Sequence, residues 1–251
     1  MKYSAFGTVL KSGNGSVQIE TATVVGTIGA AGGGNATVII TAAGLVGTPL
    51  TVTVAVANSD TAALVGGKIR AALSATSAVT NMFGVSGSSA AVVLTRLIPM
   101  QTDATLNISI NNGTSTGLTP ALTSTDTNPG ETLTTVANVS NISGPGLSLD
   151  TSDVTTHDSP GAFEEVVGTV VRTGEVSIDL VFDPTANTHS ATSGLAKFLT
   201  NKTLVAFSIT FPGNVTWSFA AYVTGFETSA PHNDALTASA KLKITGAPTL
   251  V

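Results

Sequence analysis

The nine residues Gly174-Glu-Val-Ser-Ile-Asp-Leu-Val-Phe182 alternate apolar and polar side chains at period two, the pattern of a half-buried β-strand. Asp183-Pro184-Thr185 follows and turns the chain, because proline has no N–H to give to a ladder. Upstream lies Asp150-Thr-Ser-Asp-Val-Thr-Thr-His-Asp-Ser-Pro-Gly-Ala-Phe-Glu-Glu165, with five of the fifteen acidic residues and one of the three histidines. It is too polar and irregular for a core strand, so a long charged loop held by β-structure is expected. Ser159-Pro160-Gly161 forces a turn within it, proline fixing one backbone angle and glycine freeing the next. Structureless loops beyond about 12–15 residues are as a rule functional or disordered.

The surrounding sequence repeats the period-two theme. Val205, Phe207, Ile209 and Phe211 alternate with small or polar residues, and so, less cleanly, do Trp217, Phe219, Ala221 and Val223. In the last strand Leu236, Ala238, Ala240, Leu242 and Ile244 face one side, and Thr237, Ser239, Lys241 and Lys243 the other. Thr132 to Ile142 is a further candidate strand, and Leu147-Ser-Leu149 leads into the acidic stretch. One short helix, capped by Thr192 or Ser193, places Leu195, Phe198 and Leu199 at i, i+3 and i+4. The expectation is a mainly β fold, a sandwich or half-open barrel with one helix.

Toward the N-terminus the character changes. Tyr3 to Leu10 reads as a first strand and Lys11-Ser-Gly-Asn-Gly-Ser16 as a turn. Of the twelve aromatic residues only Phe83 lies between Val17 and Gly130, a span holding just Glu20, Asp60, Lys68, Arg70, Arg96, Asp103 and Asp126 as charges. Such a break on both sides marks an inserted domain, residues 17–130, within a parent domain made of 1–16 and 131–251. Within it Thr21 to Gly29, Asn35 to Thr41 and Leu50 to Ala57 read as strands, and Phe83 to Ser86, Ala91 to Leu97 and Leu106 to Ile110 complete a small sheet. Asn58-Ser-Asp-Thr61 offers caps for a helix with Val65, Ile69, Ala72 and Leu73 on one face, ending near Thr76. Gly66 and Gly67 each cost about 1 kcal/mol there, which argues for close backbone approach. The insert is an α+β unit large enough to bury its own core.

Composition excludes several classes. Charged residues are 10% and hydrophobic ones 42%, so the chain is folded and β-rich rather than disordered. There is no cysteine, hence neither disulfide nor thiolate chemistry. The first residues lack the apolar core of a secretion signal, and no apolar run approaches the roughly 18 residues of a membrane span; a protein kept soluble in a cytoplasm is expected. With net charge −5 and scattered Lys and Arg, no basic stripe neutralises phosphates.

Catalytic and metal patterns are weak. Ser159, His157 and Asp153 or Asp158 could be assembled into a hydrolytic triad, but neighbours along one exposed loop lack the buried acid and strained turn this chemistry needs. Glu164 and Glu165 would point to opposite faces of a strand, unlike glycosidase carboxylates held about 5–9.5 Å apart across a cleft. His157 with Asp153 and Asp158, or His189 with His232, match no zinc or calcium spacing, and read as surface histidines. Gly29-Ala-Ala-Gly-Gly-Gly34 lacks a following Gly-Lys-Ser/Thr and reads as a hairpin turn rather than a phosphate loop. No enzyme activity, cofactor or metal is expected.

The run Ile142-Ser-Gly-Pro-Gly-Leu-Ser-Leu-Asp-Thr-Ser-Asp-Val-Thr-Thr-His-Asp-Ser-Pro-Gly161, then Gly174 to Pro184, Ala221-Tyr-Val-Thr-Gly-Phe-Glu227 and Ala235-Leu-Thr-Ala-Ser-Ala-Lys-Leu-Lys-Ile-Thr-Gly246, resembles the tail tube (major tail) proteins of long, flexible-tailed bacteriophages. Tyr3 to Leu10 fits the same pattern. The resemblance implies a virion protein, assembled in the host cytoplasm. Such proteins stack as hexameric rings whose sheets join into a channel that DNA passes without specific binding. It implies partners in copies of itself and in tape-measure, tail terminator and tail-tip proteins, with no membrane. Asp150, Asp153, Val154, Thr155, Thr156, His157, Asp158, Ser159, Phe163 and Glu164 are then the expected self-association residues, and the insert faces outward. A self-assembling surface adhesin or fibre subunit binding glycans is the alternative.

Overall fold

The computed structural model describes residues 4–251, so Tyr3 of the expected first strand lies outside the described residues. In chain order the elements are β1 (Val9–Ser12), β2 (Ile19–Thr23), β3 (Val25–Gly26), β4 (Gly34–Thr41), β5 (Leu50–Val56), α1 (Ala62–Ser74), α2 (Ser77–Thr80), β6 (Phe83–Ser86), β7 (Ala91–Arg96), β8 (Asn107–Asn111) and β9 (Leu118–Thr119). Then come β10 (Thr125–Asn128), β11 (Thr134–Thr135), β12 (Val139–Ser143), β13 (Ser148–Asp153), β14 (Val166–Arg172), β15 (Glu175–Val181), α3 (Leu195–Thr200), β16 (Leu204–Thr210), β17 (Thr216–Ser229) and β18 (Thr237–Leu250). Two compact units result, one from the chain up to Asn14 with Leu133–Val251, the other from Gly15–Thr132.

The first unit is built on a seven-stranded antiparallel sheet in the order β11-β1-β16-β17-β18-β15-β12. The alternation of the 174–182 stretch is realised in β15, where Val176, Ile178 and Leu180 are buried between exposed neighbours. Those three pack with Leu10, Phe207, Phe219, Ala240 and Leu242 in one core, closed by Leu195 and Phe198 of α3. Each fully buried large side chain contributes about 1.5–3 kcal/mol relative to exposure. Leu236 precedes its strand and is exposed, unlike the rest of its expected face.

Thr132 to Ile142 is not one strand. Asn138 adopts φ +53, and the chain breaks into β11 and β12, which occupy opposite edges of the same sheet. In a flat seven-stranded sheet those edges would stand roughly 29 Å apart at about 4.8 Å per strand. The four Cα steps from Thr135 to Val139 span at most about 14 Å. The sheet must therefore curl on itself into a half-barrel.

His189 fixes this connection. Its Nδ1 accepts from the Asp183 N–H at 3.2 Å, and its Nε2 donates to the Ala137 carbonyl at 2.8 Å, which sets the neutral tautomer. Thr188 Oγ1 accepts from the Ala137 N–H, and Phe182 stacks on the imidazole at 5.9 Å. His189 is thus a buried structural histidine, not the surface residue its spacing suggests; His157 and His232 are exposed.

Other differences are local. Lys11 and Ser12, expected in a turn, belong to β1 because they pair with both β16 and β11. Helix α3 is capped by Gly194 with no side-chain bond; the hydroxyls of Thr192 and Ser193 instead meet Ser190.

The second unit has its own core around Ile40, Val54, Val65, Ile69, Phe83, Leu94 and Ile108. Its expected single sheet is two, β10-β2-β7-β6 and β5-β4-β8, with a β3-β9 pair. The glycine run 29–34 joins strands of different sheets, so it is a crossover loop and not a hairpin turn. Thr61 caps α1, its hydroxyl accepting from Leu64. Gly66 does meet backbone, since a Cβ there would stand 2.7 Å from the Ser89 carbonyl oxygen, whereas Gly67 meets only the Arg70 side chain. Arg96 and Asp103 form a buried ion pair at 2.8 Å. Arg70 donates to the Ser89 and Ala91 carbonyls, and Ser124 donates to Glu20.

Candidate self-association surface

The acidic stretch sits on an arm of two strands. Asp150 to Asp153 belong to β13, which pairs antiparallel with β14, and this ribbon joins no other sheet. In the first unit's sheet Ser143 stands opposite Ser177; five residues further on, Ser148 stands opposite Arg172. Five forward in one strand match five back in the other. The arm is therefore the outer half of one long hairpin whose inner half, β12 and β15, lies in the sheet. The expected loop is confined to the tip, residues 154–165.

The tip is tied by its own polar groups. Val154 N–H donates to the Glu165 carbonyl at 2.9 Å, and Glu165 N–H to Thr155 Oγ1 at 2.9 Å. Ser159 Oγ donates to Glu165 Oε2 at 2.9 Å and accepts from Thr156 N–H at 3.0 Å. Pro160 and Gly161 turn the chain, Gly161 in the left-handed region at φ +67. Asp153 accepts from the hydroxyl and N–H of Thr155, bonds that hold its carboxyl below the usual aspartate range. At the base Asp150 pairs with Arg172 at 2.6 Å, keeping the guanidinium protonated more firmly than usual. Solvent screens such an exposed pair, so it adds little to stability.

The ten expected residues thus lie together, Asp150 and Asp153 on β13 and the other eight in the tip. Val154, Thr155, Thr156, His157, Asp158 and Glu164 are exposed, Phe163 is 77% exposed, and only Ser159 is buried. The Ser159 hydroxyl is committed to Glu165 and Thr156, so it forms no triad with His157. Among the described residues no three His, Asp or Glu gather to hold a metal ion, and no helix is long and apolar enough to cross a membrane.

Sequence reading missed the other half of the arm. Leu147, Leu149, Val166, Val167, Val170 and Val171 are all half or more exposed, and Leu149 lies over Gly168, where a Cβ would stand 3.1 Å from its methyl. The signal was present: Val166-Val-Gly-Thr-Val-Val-Arg172 is a β-branched run. An isolated two-stranded hairpin is at best marginally stable in water, and this one exposes apolar side chains on both faces.

A second feature of the same unit is a cleft of about 930 Å³ between the turn Ser4–Thr8, the free edge β12 and the turn Phe211–Val215. Phe6, Val139, Ile142, Phe211, Pro212 and Val215 line it, and none of the described lining residues is charged. In the second unit the one aromatic residue, Phe83, is buried, which leaves no exposed ring for a sugar to stack on.

Residues 122–250 match the family model described as phage tail tube protein, just over half of the 251-residue chain. None of the curated proteins matches the chain. Similar solved structures include a chain from the virion of a native gene transfer agent particle, with 20% identity and a TM-score of 0.40, covering 47% of this chain and 88% of that one. Another comes from the six-fold symmetrised baseplate of the anti-feeding prophage, with 12% identity and a TM-score of 0.38 over 49% of this chain and 85% of that one. A third is from the sheath/tube terminator of an extracellular contractile injection system, at 13% identity and 0.37 over 47% and 86%.

Proposed function

We propose, for a chain that belongs to the phage tail tube protein family, that it polymerises as stacked hexameric rings into the tail tube through which DNA is delivered to the host. The observation that carries this reading is the β13–β14 arm, which among the described residues pairs with no other strand and leaves its apolar side chains half or more exposed. A second copy supplies the missing surface. The stretch from Leu147 to Arg172 offers about the 20–30 residues that one side of a standard interface uses. The half-barrel sheet with unpaired edges at β11 and β12 supports the reading too, because annular assembly covers such edges. An excess of carboxylates suits a lumen that repels phosphates.

On this reading Gly15–Thr132 is an outward-facing insert with its own core, dispensable for the tube itself. Tape-measure, terminator and tip proteins are the further partners, met in the virion after assembly in the host cytoplasm. Deleting Ser152 to Phe163 is the test: the protein should remain folded by circular dichroism and make no tubes in negative-stain images. Tubes of normal length from that deletion would overturn the proposal.

A further inference from the structure

We infer that the arm of one copy seats its tip, Phe163 foremost, in the apolar cleft between β12 and the N-terminal turn of a neighbouring copy. This rests on the polymerising reading above and adds the receiving site. Among its described residues the first unit carries two exposed apolar surfaces, one convex and one concave. Phe163 is 77% exposed at the tip, and Phe6 is 93% exposed at the cleft mouth. No described arm residue lines the cleft, so among the described residues the arm does not fill the cleft of its own chain.

The fit is chemical as well as geometric. The described lining of the cleft has no charge to meet a carboxylate, and burying an unpaired carboxylate is costly; entry therefore belongs to Phe163 and Val154, with Asp153, Asp158 and Glu164 left at the wet rim. Phe6 and Phe211 offer rings for edge or offset stacking with an incoming phenyl. A single buried aromatic anchor of this kind commonly dominates an interface. The outer edge of β12 adds unpaired N–H and C=O groups for an extended segment. Because convex and concave surfaces differ, the contact is head to tail. Such contacts propagate into rings or filaments instead of stopping at a pair.

The chain has no cysteine, so introduced thiols report unambiguously. F163C protein is co-assembled with F6C, S140C or V215C protein and oxidised, and the tubes are imaged and run on a non-reducing gel. The expected result is a disulfide-linked dimer in at least one mixed sample, absent from every variant assembled alone at equal dilution. Phe163→Asp should lower tube yield at least tenfold while leaving the circular dichroism spectrum unchanged. Tubes with no cross-link at any of the three positions, or normal yield from F163D, would overturn the docking site and leave the assembly reading standing. Absence of tubes from the unmodified protein would overturn both.

Discussion

Gly146 and Gly174 oppose each other where the hairpin leaves the sheet: a Cβ on Gly174 would collide with the Gly146 carbonyl oxygen, and Gly174 itself has φ +58. Only the Gly174 strand lacks room for a side chain at this elbow, since a Cβ on Gly146 would meet nothing. Gly174→Ala should cost about 1–3 kcal/mol in backbone strain and turn the arm from its course. A melting temperature lowered by several degrees together with a drop in sedimentable polymer is expected. Unchanged melting and assembly would show that the elbow tolerates redirection.

His189→Ala should destabilise the first unit by about 3 kcal/mol, since it orphans the Ala137 carbonyl and the Asp183 N–H at about 1–3 kcal/mol each. For a unit of this size that is a fall of roughly 10 °C in its thermal transition. Calorimetry decides; a fall below about 2 °C would mean that water takes over both bonds.

Asp103→Ala should unfold the second unit selectively. It leaves the Arg96 guanidinium buried without its carboxylate, and strips the Ala43 and Thr105 N–H groups of their acceptor. Breaking a buried pair from one side costs about 3–5 kcal/mol. Because each unit has its own core, scanning calorimetry should show one transition moving and the other staying. A single transition shifting as a whole would refute their independence.

Glu20 gives the second unit a pH dependence of known sign. Burial pushes its carboxyl above the usual glutamate value, against the Ser124 hydroxyl bond, and Asp126 across the ladder adds to the rise. The folded unit then holds the proton more tightly than the unfolded chain. Stability contributed by this group is full below the unfolded pKa and is lost as pH climbs through the folded one. Glu20→Gln keeps an oxygen for Ser124 and should flatten that slope on the alkaline side of the ordinary glutamate pKa in urea titrations. Parallel slopes for both proteins would assign the dependence elsewhere.

Strands with a clean period of two are legible from residue order alone, as β15 and most of β18 are, because one face is buried and the other is not; β16 keeps the apolar alternation although the small Ala206 and Ser208 bury its second face as well. The helix at Val65 and Ile69 is legible for the matching reason at period 3.6. What escapes are elements governed by long-range pairing. Lys11 and Ser12 look like turn residues until strands from far along the chain bracket them. The arm shows the limit best: Val166 to Arg172 has strong β propensity but no alternation, since neither of its faces meets a core. The charged half of the arm draws attention while the valine half goes unread. His189 is misplaced because the carbonyl that claims it lies 52 residues away.

The unbroken register between the arm and the sheet has a mechanical consequence. A load pulling along the arm enters β12 and β15 lengthwise, and β15 is bonded to β18 over seven consecutive pairs, Glu175–Lys243 through Val181–Thr237. Those bonds would have to rupture together in shear, whereas a strand tugged from its end across a ladder peels one bond at a time. A filament whose copies grip one another through such arms can flex at the glycine elbows while its joints carry tension.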